Sequence, residues 1–246
     1  VVTAAWYPEA LQVIREYCRE KGASLLEVGK EIQWELNDAT PTRTSFNLRT
    51  PWGVYRDLWV PLAGQYQAVN AATALGVIEF LRSVHRVPIT DVHIRTGFAR
   101  SIWPARLELM SQNPMVMIDV SHNYDGARTL SAAIKEIYHY SNLILVLGML
   151  GDKEREKVVA ELAPLASLVI ITKPLSPRAG DWEGLADEAR KYVDRVCIIE
   201  EIDDAVLKAL EEADGKDMVC ITGSFYMVAS AREFLLKKFS PVQKNA

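Results

Sequence analysis

Val116-Met117-Ile118-Asp119-Val120-Ser121-His122-Asn123 is the stretch on which the reading of this chain turns. A short run, apolar except at Asp119, gives way to small and polar residues, and a helical pattern follows from Asp125 to Tyr138. The same unit recurs. Apolar runs stand at Leu143 to Leu147, Leu168 to Thr172, Arg195 to Ile199 and Met218 to Thr222. Helical patterns follow them over Lys153–Leu165, Trp182–Val193, Asp203–Ala213 and Met227–Lys238. Runs of four to five residues without polar alternation are strands buried on both faces, and strand–helix alternation makes them parallel. The expected fold is α/β: a Rossmann-like, mostly parallel sheet with helices on both faces. Leu107 to Met110 adds an antiparallel edge strand.

Working outward toward the N-terminus, the pattern changes. Asp91 to Ala99 and Gln67 to Arg82 read as helices. Thr44 to Leu48, the turn Pro51-Trp52-Gly53 and Val54 to Val60 read as a hairpin. Pro8 to Lys21 is an amphipathic helix that Pro8 can open and Gly22 can stop. The expected organisation is a small α+β piece over 1–62, a linker with helices over 63–100, the α/β domain over 101–240 and a tail over 241–246. A piece of 62 residues buries little core alone. The chain opens on Val1-Val2-Thr3-Ala4, inside an apparent strand, which reads as a start partway through a larger protein.

Composition narrows the function classes. Apolar residues make up 49% of the 246 and charged residues 24%, with net charge -4. That suits a soluble enzyme and argues against a general nucleic-acid or membrane-surface binder, which needs a basic face. Cys18, Cys197 and Cys220 are widely spaced and form no CxxC, and only four histidines are present. Reduced thiols of a cytoplasmic protein are the expectation, and no metal site. No apolar run reaches the length of a membrane span.

In an open α/β sheet, ligands collect beyond the carboxyl ends of the strands. Four of those turns are polar and rich in small residues: Asp119 to Asn123, Gly148 to Lys153, Lys173 to Arg178, and Gly223-Ser224-Phe225-Tyr226. Each piece also has a plain structural reading. Asp119 can cap a helix, His122 can be a satisfied structural histidine, and Gly223-Ser224 can be a tight turn. Asp152-Lys153-Glu154 can be a charge pattern at a helix start, and Gln67 with Asn70 a polar helix face. No GxGxxG follows a strand, which disfavours a dinucleotide-binding domain. No GxxxxGK[ST] occurs, so these residues hold no phosphate-cradling P-loop.

Taken in order, five segments resemble one family. Gly64-Gln65-Tyr66-Gln67-Ala68-Val69-Asn70-Ala71 is similar to its G-x-H-Q-x-x-N-A segment, and Trp103-Pro104-Ala105-Arg106-Leu107-Glu108 to W-P-G-R-x-E. Asp119-Val120-Ser121-His122-Asn123 resembles D-G-A-H-N, Leu147 to Lys153 the G-x-x-x-D-K turn, and Thr222 to Tyr226 the T-G-S-x-Y turn. The family is that of the folylpolyglutamate and dihydrofolate synthases, within the wider Mur-type ligases. Tyr66, Ala105 and Val120-Ser121 depart from its pattern.

The resemblance implies an ATP- and magnesium-dependent ligase of folate biosynthesis and one-carbon metabolism. It activates a folate or dihydropteroate carboxylate as an acyl phosphate and joins it to L-glutamate. It implies that residues 1–62 end a central ATP-binding domain, that the P-loop and Mg2+ ligands lie outside these residues, and that the protein is a monomer. This chain alone would then be inactive. By residue, it implies Asn70 at the adenine, Arg106 on the ATP phosphates, Asp119 on the ribose or nucleotide side of an interdomain cleft, and His122 and Ser224 near the acceptor glutamate. Lys153 and Arg178 are further candidates for anion contacts. The competing readings are a nucleotide-binding or regulatory module without catalysis, and another Mur-type amino-acid ligase.

Overall fold

The first strand, β1 (Val2–Thr3), runs parallel to β2 (Leu26–Glu27), with helix α1 (Pro8–Glu20) crossing between them, in a computed structural model that describes residues 1–239. The expected hairpin forms from β4 (Arg43–Thr50) and β5 (Gly53–Val60). A third antiparallel strand, β3 (Gln33–Thr40), pairs with β4 and completes a three-stranded sheet. The sequence reading missed β3 for a physical reason. It is an edge strand, mostly exposed, and an edge needs no apolar alternation.

Helices α2 (Tyr66–Val84) and α3 (Asp91–Ala99) cover the inner face of that sheet. Phe46, Leu48, Leu58 and Val60 point inward from the strands and meet Ala68, Ala72, Leu75, Ile94 and Phe98. The helices expected within 63–100 form, and residues 1–102 make up one compact unit. A sheet with one apolar face must bury it, and the two helices supply the partner surface.

The second unit begins at Trp103. Its elements are β6 (Glu108–Gln112), β7 (Met115–Ile118), α4 (Tyr124–Ile137), β8 (Leu143–Leu147), α5 (Arg155–Leu162), β9 (Leu168–Ile171), α6 (Leu185–Ala189), β10 (Val196–Ile198), α7 (Ile202–Glu212), β11 (Met218–Thr222) and α8 (Phe225–Phe239). The sheet order is β10-β9-β8-β11-β7-β6, parallel except for the edge strand β6. This is the expected α/β class. Val116, Ile118, Ile144, Val146, Ile170, Val219 and Ile221 pack against α7 and α8 through Ala205, Val206, Met227 and Val228. The intervening residues, among them Met117, Leu145, Leu147 and Cys220, are equally buried on the other face, where α4, α5 and α6 pack beside one another. Burial on both faces explains the unbroken apolar runs.

One helix falls short. The pattern over Trp182–Val193 yields only the five-residue α6: the Asp181 carboxylate accepts from the Gly184 N–H at 3.2 Å and holds residues 181–184 in a turn before it, and the helix ends at Ala189. The expected tail at 241–246 lies outside the described residues. Among those residues no helix is long and apolar enough to cross a membrane.

Candidate functional site

Because β7, β8, β9 and β11 are parallel, their carboxyl-end turns all open at one end of the second unit. The order places β11 between β7 and β8, so the turn Gly223-Ser224 stands beside both Asp119–Asn123 and Gly148–Lys153. The turns are tied together directly. The Asp119 N–H donates to the Ile221 carbonyl at 3.0 Å, and the Gly148 N–H to the Thr222 carbonyl at 3.2 Å. The Thr222 hydroxyl reaches the Ser121 carbonyl at 3.4 Å.

Two glycines permit this approach. Gly223 has φ 117°, and a Cβ on it would stand 2.6 Å from the Gly148 carbonyl oxygen. A Cβ on Gly148 would stand 2.8 Å from the Thr172 carbonyl oxygen. Neither position accepts a side chain without moving backbone.

Asp119 is 2% exposed, and its carboxylate is already engaged. One oxygen accepts from the Leu107 N–H at 3.0 Å, and the other from the Ser121 N–H at 2.8 Å and the Ser121 hydroxyl at 2.5 Å. Burial pushes its carboxyl upward, against the pull of Ser121, the Leu107 N–H and the nearby Arg106 charge. The geometry makes Asp119 an organiser of the Trp103–Glu108 loop.

That loop is unusual. Ala105 (φ 56°) and Leu107 (φ 47°) both lie in the left-handed region, on either side of Arg106. Left-handed backbone at a residue with a Cβ costs about 1–2 kcal/mol each. Three hydrogen bonds hold the conformation: Leu107 N–H to Asp119, Ala105 N–H to Glu108 at 2.7 Å, and Val120 N–H to the Ala105 carbonyl at 3.0 Å. Arg106 itself is half-buried, and its guanidinium makes no hydrogen bond or ion pair among the described residues. The family's glycine before this arginine, replaced here by Ala105, corresponds to the first of the two left-handed positions.

His122 is half-buried, with Nδ1 3.0 Å from the Val120 carbonyl oxygen and its ring 5.3 Å from that of Phe225. A carbonyl only accepts, so Nδ1 carries a proton in this contact, which turns Nε2 to the other side of the ring. Asn123 caps α4, its Oδ1 accepting from the Gly126 N–H at 2.8 Å. Ser224 is buried at the start of α8, and its hydroxyl accepts from the Tyr226 N–H at 3.3 Å. His122 and Ser224 are thus brought to adjacent turns, linked through Phe225.

The remaining candidates take no part in these hydrogen bonds. Arg178 is held in an ion pair with Asp152. Lys153 lines an open surface cavity of about 470 Å³ together with Glu154, Arg155, Lys157, Asp181 and Glu188. Asn70 belongs to the first unit. It is exposed on the first turns of α2, where its Nδ2 donates to Oε1 of the buried Gln67 at 3.1 Å, which leaves Oδ1 and one N–H for a partner. Among the described residues no group of three or more His, Cys, Asp or Glu side chains is arranged to hold a metal ion. The sequence reading quoted Glu108 at the end of the Trp103–Glu108 segment without giving it a role, and it missed Arg232, whose ion pair spans 124 positions and leaves no local signal.

Residues 105–225 match the family model described as the Mur ligase, glutamate ligase domain. The chain is 30% identical over 236 residues to the dihydrofolate synthase/folylpolyglutamate synthase of Bacillus subtilis, covering 96% of this chain and 54% of that protein. The Mycobacterium tuberculosis folylpolyglutamate synthase complexed with ADP superposes with a TM-score of 0.85 at 29% identity, over 95% of this chain and 54% of that one. Escherichia coli FolC in complex with DHPP and ADP gives a TM-score of 0.80 at 26% identity, over 92% and 51%. The chain spans about half the length of these relatives.

Proposed function

Because the chain belongs to the folylpolyglutamate synthase / dihydrofolate synthase family of Mur-type ligases, we propose that it takes part in an ATP-dependent ligation of L-glutamate to a folate or dihydropteroate carboxylate. The carboxylate attacks the γ-phosphorus of ATP, giving an acyl phosphate and ADP. The glutamate amine then attacks the acyl carbon, expels phosphate and loses a proton. ATP, L-glutamate and the pterin are the partners, and magnesium is the metal such phosphoryl transfer takes.

The observation that carries the reading is Arg106. It is a half-buried cation with no hydrogen bond or ion pair among the described residues, on a loop with two left-handed residues at the carboxyl end of a parallel sheet. A guanidinium fixed there suits a polyphosphate, because its position is set before charge develops. Asn70 takes the adenine edge in this proposal, offering one acceptor and one donor. His122 and Ser224 serve the acceptor glutamate: the neutral ring can receive at Nε2 the proton the amine gives up. Asp119 contributes through the loop it holds. A P-loop is absent from the 246 residues, so the chain alone is proposed to bind ATP weakly and turn over nothing.

The deciding experiment measures ADP release with ATP, Mg2+, glutamate and either a reduced folate or dihydropteroate, on this chain and on the full product of its gene. Release only from the longer protein, with one pterin preferred, supports the proposal and names the reaction. Silence from both, with ATP still bound, favours a nucleotide-binding module without catalysis. Arg106→Ala is expected to weaken ATP binding by roughly ten- to a hundredfold, the loss of one charge-assisted contact.

A further inference from the structure

Glu108 and Arg232 have no assigned role, yet they meet across 124 positions of sequence. The Arg232 guanidinium on α8 donates from Nε and from one terminal nitrogen to the two Glu108 oxygens, both at 2.8 Å. This is the bidentate geometry that fixes a carboxylate in orientation as well as position. One of those oxygens also accepts the Ala105 N–H at 2.7 Å. Ala105 is the left-handed residue immediately before Arg106. Burial raises the Glu108 carboxyl, but the Arg232 and Ala105 hydrogen bonds outweigh it and hold the group below the usual carboxylate range.

We infer that Arg232, acting through Glu108, is a positioning residue for Arg106. Two carboxylates grip the loop, one on each side of the arginine: Asp119 takes the N–H of Leu107, and Glu108 takes that of Ala105. Each grip is anchored elsewhere, Asp119 at the end of β7 beside β11 and Glu108 on the middle of α8. Removing the Arg232 anchor frees the Glu108 carboxylate toward water and leaves the Ala105 N–H with an unfixed acceptor. Ala105 is then able to relax out of its left-handed conformation, and Arg106 moves with it. The same helix begins at Phe225, next to Ser224, and carries that Phe225 against His122, so α8 orients the arginine loop and the histidine turn together. The effect on nucleotide rests on the phosphate role of Arg106 proposed above; the effect on the loop does not.

The test uses Arg232→Met, Arg232→Lys and Glu108→Leu in this chain, read by amide hydrogen exchange and by ATP titration. In Arg232→Met the Ala105 amide is expected to exchange about tenfold faster or more, while Ile144 in the sheet core keeps its wild-type rate. Arg232→Lys, which keeps one charged donor, is expected to recover part of the protection. ATP affinity should fall in Arg232→Met, and the double variant with Arg106→Ala should bind no more weakly than Arg106→Ala alone, since both act through one contact. Unchanged exchange at Ala105 in folded Arg232→Met overturns the inference, and so do additive losses in the double variant. Should Arg232→Met not fold, Glu108→Leu, which removes the acceptor, must accelerate Ala105 exchange, and wild-type protection there overturns the inference equally. If Arg106→Ala leaves ATP binding untouched, the phosphate role is lost and the exchange result alone decides the positioning.

Discussion

Gly223→Ala should be the most damaging single-methyl change at the carboxyl end of the sheet. Gly223 has φ 117°, where a residue with a side chain is strained by about 1–3 kcal/mol. The added Cβ would also stand 2.6 Å from the Gly148 carbonyl oxygen, 2.9 Å from Leu147 Cδ1 and 3.1 Å from the Gly148 carbonyl carbon. Two of these three atoms are backbone, and that backbone has little room to retreat. Gly148 is itself packed on the Thr172 carbonyl and donates its N–H to Thr222. Overpacking of this kind costs a further ~1–3 kcal/mol. The sum is about 4 kcal/mol, a large share of the ~5–15 kcal/mol that holds a typical domain together. In urea unfolding followed by circular dichroism, the midpoint of the second unit should fall by roughly 1 M or more. Gly97→Ala provides the contrast. That glycine is exposed inside α3 of the first unit, and an added methyl would meet nothing within 4 Å, so the change should stabilise by about 0.5–1 kcal/mol. A Gly223→Ala protein within about 0.5 kcal/mol of wild type, against the ~4 kcal/mol expected, would refute the argument that backbone contact sets the geometry of these turns.

Asp217→Ala removes the shared acceptor of the Asn142 N–H (3.0 Å), the Asn142 side-chain amide (2.9 Å) and the Asp214 N–H (3.0 Å), and should cost about 2–4 kcal/mol in urea midpoints. Those bonds, led by the Asp214 N–H, hold the Asp217 carboxyl below its ordinary range despite burial. Its contribution is therefore present above the unfolded value near pH ~4 and lost as pH falls through the lower folded value, so wild type and Asp217→Asn should converge only on the acid side. Cys220 is fully buried and its thiol is pushed well up by burial and by Asp119. A thiol reagent at about pH 8 should modify the half-exposed Cys197 first and reach Cys220 only on unfolding, as read by mass spectrometry of labelled peptides. Ala105→Gly should leave thermal stability nearly unchanged. Relief of about 1–2 kcal/mol of left-handed strain is offset by ~0.4–1 kcal/mol of unfolded-chain entropy and ~0.8 kcal/mol of lost methyl burial.

Much of the second unit is legible in the amino-acid sequence. A strand buried on both faces must be apolar throughout, so β8 and β11 announce themselves at Leu143–Leu147 and Met218–Thr222 with their observed bounds. Turns at the carboxyl ends carry short-range chemistry, and Asp119, His122 and Ser224 do stand there. The first unit is less legible. The strand β3 is polar because it is an edge, and α2 and α3 are legible as helices while their packing is not, because their partner surface is a sheet formed by an earlier part of the chain.

Sequence alone, then, determined the alternation of elements and the residues that each turn displays, since propensity, buried-face patterning and turn chemistry act over a few positions. Tertiary structure alone decided which turns become neighbours. The insertion of β11 between β7 and β8 brings Gly223 against Gly148, and the return of α8 brings Arg232 to Glu108. The fold also makes Asp119 an internal anchor, because the Leu107 N–H reaches its oxygen only once the loop has folded over it. The donor here is a backbone N–H, which every residue but proline carries, so the residue pattern does not say which distant one a carboxylate will meet.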